Sequence, residues 1–226
     1  MAKRHELKSR WLVSPGKEIQ DRIFALDTIH PGHGHSADEL FRLLNDLPLR
    51  AEVPNGRDFR GLDFAAREMD LSYCNFAYAH IAYFYFCNLD HSVFDGCFGE
   101  RASFHSTLVS CSFVGARLRS CYFNDSNATS VDFSKASLPG CSFQNVDLRG
   151  SKLCDANCRR CAFAGASLLG CDFRGADLDE AVFCDVVLDK STDLRGAKLS
   201  NVITSDWYDK NGNLRRKGAD LSQATM

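Results

Sequence analysis

The sequence predicts an all-β solenoid, in which an extended chain bends at regular intervals and stacks on itself. From Phe113 to Leu188 every fifth residue is a candidate for the interior, and fourteen of these sixteen residues are Phe or Leu. The residue two places before each of them is small, from Cys111 to Val186. Residues two apart share one face of an extended chain, whereas a five-residue period drifts around a helical turn of about 3.6 residues. Each run of five residues, here called a pentad, therefore supplies one large and one small inward side chain.

A second period, of ten residues, explains a composition of 17 Phe and 11 Cys beside 3 Met and 2 Trp. Seven of the eight alternate large positions from Phe113 to Phe183 are Phe, and five of the small positions before them are Cys. The interleaved pentads have neither feature. If four pentads make a coil, Phe and Cys occupy two opposite sides of it, and Phe123 and Phe133 face each other. Most cysteines are then small core residues rather than nucleophiles.

The repeat resembles that of the pentapeptide-repeat family, as in CDFRGADLDE (171–180) and SVDFSKASLPG (130–140). The resemblance extends from about Arg57 to Leu199. It implies a right-handed, quadrilateral (four-sided) parallel β-helix with one pentad on each side. Strand spacing of about 4.8 Å gives roughly seven coils a length of about 34 Å. Ala128 and Cys158 are undersized for their positions, and we expect looser packing beside them.

Three regions are predicted: 1–56, an N-terminal helical cap; 57–200, the pentapeptide-repeat β-helix; and 201–226, a C-terminal loop or hairpin with residual pentads. Ser14-Pro15 marks a helix start, and Ser36 with Glu39 forms a capping box before a second amphipathic stretch. Two helices would cover the apolar end of the solenoid. Alternatively, they bind a partner directly.

Irregular segments interrupt the repeat at both ends. The register slips near 66–71, near 79–87 and between 95 and 108, which predicts bulges or short loops. Asn211-Gly212 predicts a hairpin turn after Trp207 and Tyr208, and pentads resume within 219–226. Self-association in a homodimer is one way to seal this end of the solenoid.

Composition excludes several classes of partner. The formal charge of -2 gives neither the basic surface of a nucleic-acid-binding protein nor a strongly acidic one. No apolar run is long enough to span a membrane, and no signal-peptide pattern is visible. An odd number of cysteines argues against a disulfide framework. We therefore expect reduced thiols, a cytoplasmic location, no direct binding of nucleic acid and no membrane association.

Cys154, Cys158 and Cys161 have the spacing of an iron–sulfur ligand set. The pentad phase puts Cys161 at a small inward position, Cys158 at a large inward position and Cys154 outside. These positions lie on two different sides of the coil, so the three thiols are not expected to converge. No cofactor is predicted.

His30, His33 and His35 form the densest group of metal ligands, in a Pro/Gly-rich loop. They support an alternative function as a metal-binding protein, although no fourth ligand is evident. No phosphate-binding loop, dinucleotide fingerprint or hydrolase motif occurs. Because every inward position is apolar, a packed solenoid offers no catalytic cleft, and we predict a non-enzymatic protein.

Function is therefore expected on the outer surface, and the leading hypothesis is a protein-interaction scaffold. Aromatic residues are frequent in interface hot spots, and Tyr73, Tyr78 and Tyr83 share one outward phase. Asp172 to Asp193 contains seven acids against two basic residues. The candidate partner surface comprises Tyr73, Tyr78, Tyr83, Tyr85, Asp177, Asp179, Glu180 and Asp185. Contact of the tyrosines with the N-terminal helices is the alternative.

The resemblance also implies a second function, because some members of the family mimic DNA, bind a type II topoisomerase (gyrase) and confer quinolone resistance. Ten base pairs of DNA carry about 20 negative charges over the same length. Arg57 to Leu199 holds 15 basic and 18 acidic residues, a net charge of only -3. This sequence departs from the charge that mimicry requires.

Overall fold

The computed structural model describes residues 63–67, 70–208 and 214–226. The predicted N-terminal helices and the His30, His33, His35 loop lie outside these residues. The strands are β1 (Asp63–Arg67), β2 (His80–Asn88), β3 (Phe98–Glu100), β4 (Ser103–Thr107), β5 (Arg117–Arg119), β6 (Trp207–Tyr208) and β7 (Leu214–Arg216), followed by a 3₁₀ helix at Leu221–Gln223. None of the helical structure in the described parts of the chain is long and apolar enough to cross a membrane.

Single-residue parallel bridges build the solenoid beyond β5. Most of them join a residue to its equivalent four pentads later, and they include Ser112 to Asp132, Arg117 to Ser137, Tyr122 to Ser142 and Asn127 to Asp147. Four pentads therefore complete one coil. The middle residue of each pentad pairs with the coil before it: Asp132 N–H donates to Cys111 O at 2.9 Å and Asp132 O accepts from Phe113 N–H at 2.7 Å. The predicted solenoid of parallel strands is confirmed.

Coil length varies along the chain. Asn75 pairs with Val93, and Val93 pairs with Ser112, so both of these coils are shorter than four full pentads. At the other end Asp172 pairs with Asp193, which makes that coil slightly longer than four pentads. Register shifts fall between Phe64 and Ala65 and between Tyr85 and Asn88. The irregularity predicted near 79–87 therefore contains a bulge within the stack of coils, and the one predicted between 95 and 108 falls in a shortened coil. The one predicted near 66–71 includes residues outside the described ones.

Phenylalanine rings fill the interior in two stacks. In one, successive centroids of Phe76, Phe94, Phe113 and Phe133 are 4.8, 4.6 and 4.9 Å apart. In the other, those of Phe104, Phe123, Phe143, Phe163 and Phe183 are 4.7, 4.9, 5.2 and 5.0 Å apart.

The two stacks meet edge to face, as at Phe123 and Phe133, whose centroids are 5.5 Å apart with planes at 85°. The bridged residues along one side of the solenoid form a ladder. Phe123 and Phe133 lie beside two different ladders, and the ladder of Asn127 runs between these two, so the two rings are not on neighbouring sides of the coil. The ten-residue alternation thus predicted their relation correctly. Edge-to-face and offset stacking are the favoured geometries for aromatic pairs.

Small inward positions link the coils by hydrogen bonds. Ser151 Oγ donates to Ala128 O at 2.8 Å in the preceding coil and accepts from Val131 N–H at 3.1 Å. Cysteines at the same positions donate similarly, as Cys171 Sγ does to Leu148 O at 2.9 Å. Ala128 and Cys158 are fully buried. The looser packing expected beside them stays a prediction.

The chain turns at the end of each pentad through one residue of left-handed backbone. Lys135, Asp155 and Gly175 hold this position in three successive coils, with φ of 59°, 55° and 68°. An Asp or Asn in the middle of many pentads accepts the N–H two residues on, as Asp132 does from Ser134 at 2.9 Å. These side chains accept hydrogen bonds from N–H groups in the turns that have no partner in the bridges between coils.

The C-terminal segment resumes the solenoid after an excursion. β6 and β7 pair antiparallel, which confirms the predicted hairpin strands; the Asn211-Gly212 turn lies outside the described residues. Thr225 then pairs in parallel with Asp193, and its carbonyl accepts from Leu194 N–H at 2.7 Å. The final residues therefore continue the stack of coils, as the sequence predicted.

Candidate partner surface

The inward side chains of the solenoid are buried, so binding is left to the outward residues. Every inward residue from Cys111 to Phe183 is at most 4 % exposed. Burial raises the pKa of the Cys111 and Cys171 thiols to about 12, so these groups stay protonated. A binding site in this part of the solenoid must therefore be built from outward residues and turns.

Two of the predicted tyrosines, Tyr73 and Tyr78, lie in different turns. Successive pentads occupy successive sides of a coil, so an outward phase shared by neighbouring pentads does not make one surface. Tyr73 is 66 % exposed and stacks on His91 of the next coil at 4.7 Å. The Tyr78 ring covers Gly96, where an added Cβ would lie 2.8 Å from Tyr78 Cε1.

The other two, Tyr83 and Tyr85, lie together on β2 with ring centroids 5.3 Å apart. Phe86, 60 % exposed, packs edge to face on His105 at 5.2 Å. Tyr122, 48 % exposed, follows Tyr83 and Ser103 along one ladder. The aromatic surface is therefore defined as Tyr83, Tyr85, Phe86, His105 and Tyr122. Phe86, His105 and Tyr122 were not predicted, because the sequence alone does not show which residues a shortened coil brings side by side.

The predicted acidic residues are bound to cations of the adjacent coils. Arg159 Nη1 lies 2.5 Å from Asp179 Oδ2 and 3.9 Å from Asp177 Oδ2, and Lys198 Nζ lies 3.7 Å from Asp177 Oδ2. Arg160 Nε lies 2.8 Å from Glu180 Oε2 and lowers the pKa of that carboxyl. The excess of acids along the sequence is therefore largely neutralised in space.

Asp185 has a different partner. Its Oδ1 accepts from the backbone N–H of Lys217 at 2.7 Å, and its own N–H donates to Lys217 O at 2.7 Å. Asp185 thus fastens the segment after β7 to the solenoid, apart from the acids at Asp177 to Glu180.

The three clustered cysteines are divided as the pentad phase predicts. Cys158 and Cys161 are fully buried, while Cys154 is half-buried and its Sγ lies 3.8 Å from Asp172 O. Among the described residues, no three or more His, Cys, Asp or Glu side chains are grouped so that they could hold a metal ion.

Comparison with known proteins agrees with this geometry. The family model for pentapeptide repeats matches residues 108–150, 141–179 and 166–203, with eight copies of the repeat. Residues 108–203 of the chain therefore carry pentapeptide repeats. No curated protein matches the sequence.

Solved pentapeptide-repeat structures are similar over half to two thirds of the chain. A trypsin-treated variant of QnrB1, a plasmid-mediated fluoroquinolone resistance protein, is 22% identical with a TM-score of 0.47, covering 65% of this chain and 74% of its own. HetL, involved in heterocyst differentiation regulation in the cyanobacterium Nostoc, is 14% identical with a TM-score of 0.20, covering 66% and 89%. An Arabidopsis thaliana protein of the thylakoid lumen is 23% identical with a TM-score of 0.25, covering 49% and 69%.

Three exposed arginines form a second outward cluster of the pentapeptide-repeat solenoid. Arg117 and Arg119 flank Leu118 on β5, and Arg101 N–H donates to Arg119 O at 2.9 Å. Phe98 and Glu100 of β3 pair with Arg117 and Arg119. None of the three arginines forms an ion pair with a described residue. We call Arg101, Arg117 and Arg119 the arginine patch.

Proposed function

We propose that the protein is a non-enzymatic scaffold that binds a protein partner through its outer faces. The observation that carries this proposal is the exposed aromatic surface, in which Tyr85, Phe86 and Tyr122 are 39 %, 60 % and 48 % exposed. Large aromatic side chains supply most hot-spot energy in protein interfaces. Tyr85 and Phe86 lie on β2 and Tyr122 is bridged to the coils on both sides, so little backbone entropy is lost when a partner binds.

The shape that presents this surface is inferred to be right-handed and four-sided. Four bridge ladders per coil supply four sides, with one turn between each pair. Parallel strands joined by crossovers within one sheet are right-handed in about 98% of cases. This outline also accounts for the two opposed phenylalanine stacks.

A cytoplasmic location fits the state of the thiols. All eleven cysteines are free, and ten of them are buried. Reduced thiols in this number are typical of a reducing compartment. We therefore place the scaffold and its partner in the cytoplasm.

An affinity pull-down from source-cell lysate with the double variant Tyr85→Ala, Tyr122→Ala tests the proposal. Ala is tolerated at the second position, because Ala162 occupies it two coils later. Recovery of a specific protein should fall at least about tenfold, the equivalent of about 1.4 kcal/mol. Val187→Ala is the matched control, since Val187 is 53 % exposed on another ladder. Equal recovery by the double variant and the control would refute the aromatic surface as the binding site.

Topoisomerase binding by DNA mimicry is the alternative, and the ion pairs weigh against it. Mimicry needs an open acidic surface, whereas Asp177, Asp179 and Glu180 face Arg159, Arg160 and Lys198. A gyrase supercoiling assay with and without a quinolone separates the two functions. Protection of gyrase would favour mimicry, and no effect at any protein concentration would exclude it.

Self-association through the C-terminal end of the solenoid is proposed as a further property of the scaffold. Ile203 and Lys198 pair with the coil before them, and no described strand pairs with their outer edge. Ile203 and Met226 are 47 % and 62 % exposed at this end. Light scattering should detect a dimer that Ile203→Lys dissociates. A monomer at every accessible concentration would refute this contact.

A further inference from the structure

The arginine patch differs from the other basic residues on the same side of the solenoid. Arg159 and Arg160 lie further along that side, and both face acids of the next coil at 3.5 Å or less. Arg101, Arg117 and Arg119 have no such partner among the described residues, although all three are exposed. Among the described residues, positive charge is therefore unpaired at one end of this side and neutralised at the other.

Like charges lie close together within the patch. Arg101 and Arg119 are joined by a backbone hydrogen bond, and Arg117 and Arg119 point outward from the same strand. The residue directly across the sheet from Arg119 is Glu100 and that from Arg117 is Phe98, so no arginine of the patch lies directly opposite another. Other coils place Pro139 and Ser200 at the position of Arg119, so the fold does not need Arg there. A group of exposed cations that the fold does not require is available to bind an anionic ligand.

We propose that the arginine patch binds an acidic segment of the partner protein, with Phe98 and Tyr122 contacting apolar side chains of the same segment. This inference rests on the proposed function and names the chemistry of its partner. Guanidinium groups bind carboxylates through paired hydrogen bonds, which favours Asp and Glu side chains. Arg and aromatic residues side by side match the composition of protein interface cores.

A protein segment fits this surface better than a nucleic acid does. The patch covers two coils, or about 10 Å of the solenoid. A nucleic acid carries charge at every nucleotide and needs a longer basic track. Further along the same side Arg159 and Arg160 are held in ion pairs with Asp179 and Glu180, so these two arginines do not extend the basic track. A short acidic stretch ending in apolar residues fits the length of the patch.

Fluorescence anisotropy with labelled poly-L-glutamate tests the patch on the full-length protein. The triple variant Arg101→Gln, Arg117→Gln, Arg119→Gln should bind at least about tenfold more weakly than the native protein. Arg149→Gln, Arg174→Gln, Arg195→Gln is the matched control, because those arginines each pair with an Asp two residues earlier. Equal loss in both triple variants would overturn the proposal. Tighter binding of single-stranded oligodeoxythymidine than of poly-L-glutamate would also overturn it, in favour of a nucleic-acid site.

Thermal unfolding provides the second measurement, since it does not depend on a ligand. Because Pro139 and Ser200 occupy the Arg119 position in other coils, the patch variant should be about as stable as the native protein. A clearly lower melting temperature than that of the native protein would show that the arginines serve the fold and would refute the proposal. In the pull-down, equal recovery by the patch variant would refute this inference while leaving the scaffold function standing. Failure to recover any partner would count against the scaffold function alone.

Discussion

Phe123 and Phe143 lie one coil apart with their rings stacked, 4.9 Å between centroids and 8° between planes. The same relation recurs at Phe143 and Phe163, at 5.2 Å. Each ring in the interior of a stack is therefore held from both sides, and it meets the second stack with its edge. Contacts of this kind connect only adjacent coils, so the stability of the solenoid is a sum of coil-to-coil terms.

Replacing Phe143 by Ala should remove contacts on three sides, with Phe123, Phe163 and the edge of Phe133. We expect a loss of about 3 to 5 kcal/mol in the free energy of unfolding. Phe183 stacks only on Phe163 among the described rings, so Phe183→Ala should cost less. Urea unfolding of both variants measures the difference. Equal losses in the free energy of unfolding would contradict the stacked phenylalanine rings as the source of stability.

Ser151→Ala should cost more than the loss of one oxygen atom suggests. The Ser151 hydroxyl donates to Ala128 O and accepts from Val131 N–H, at a place where most other pentads of the regular repeat close a direct turn hydrogen bond. Leaving buried polar groups without partners costs about 1 to 3 kcal/mol. Ser151→Cys is the control and should be milder, because Cys171 donates from the same position one coil later. An alanine variant with native stability in urea would show that the bridge is dispensable.

The sequence predicted the relations that recur within a few pentads. The large and small inward positions, the opposed stacks around Phe123 and Phe133, and the outward place of Cys154 all follow from periods of five and ten. The outer surfaces could not be predicted from these periods, because residues that are neighbours on the surface belong to different coils. Asp179 meets Arg159 of the preceding coil, and Tyr122 joins Tyr83 only through Ser103, across one full coil and one shortened coil. Coil length must be known before such pairs can be assigned.

Acid should destabilise the protein through its Asp–Arg turns. Arg174 donates to Asp172 from Nε at 2.9 Å and from Nη2 at 2.6 Å, and this holds the pKa of the Asp172 carboxyl well below its usual range. A lowered folded-state pKa stabilises the protein above the unfolded value of about 3.9, and the benefit is lost as pH falls through the folded value. The melting temperature of native protein should therefore drop steeply below about pH 4. Asp172→Asn and Arg174→Gln should each flatten that drop, and a pH profile that neither variant alters would contradict the assignment.

Thiol chemistry should distinguish Cys154 from the other ten cysteines. It is the one cysteine that is only half-buried, whereas the remainder lie in the core. Burial, with Asp172 beside it, raises the pKa of the Cys154 thiol, so reaction with Ellman's reagent will be slow but still faster than at core positions. We expect close to one equivalent to react in the native protein and eleven after unfolding. Cys154→Ser should abolish the native reaction, because the core thiols become accessible only when coils separate. Fast native labelling of several cysteines in that variant would mean that the coils open readily, contrary to a continuously hydrogen-bonded stack.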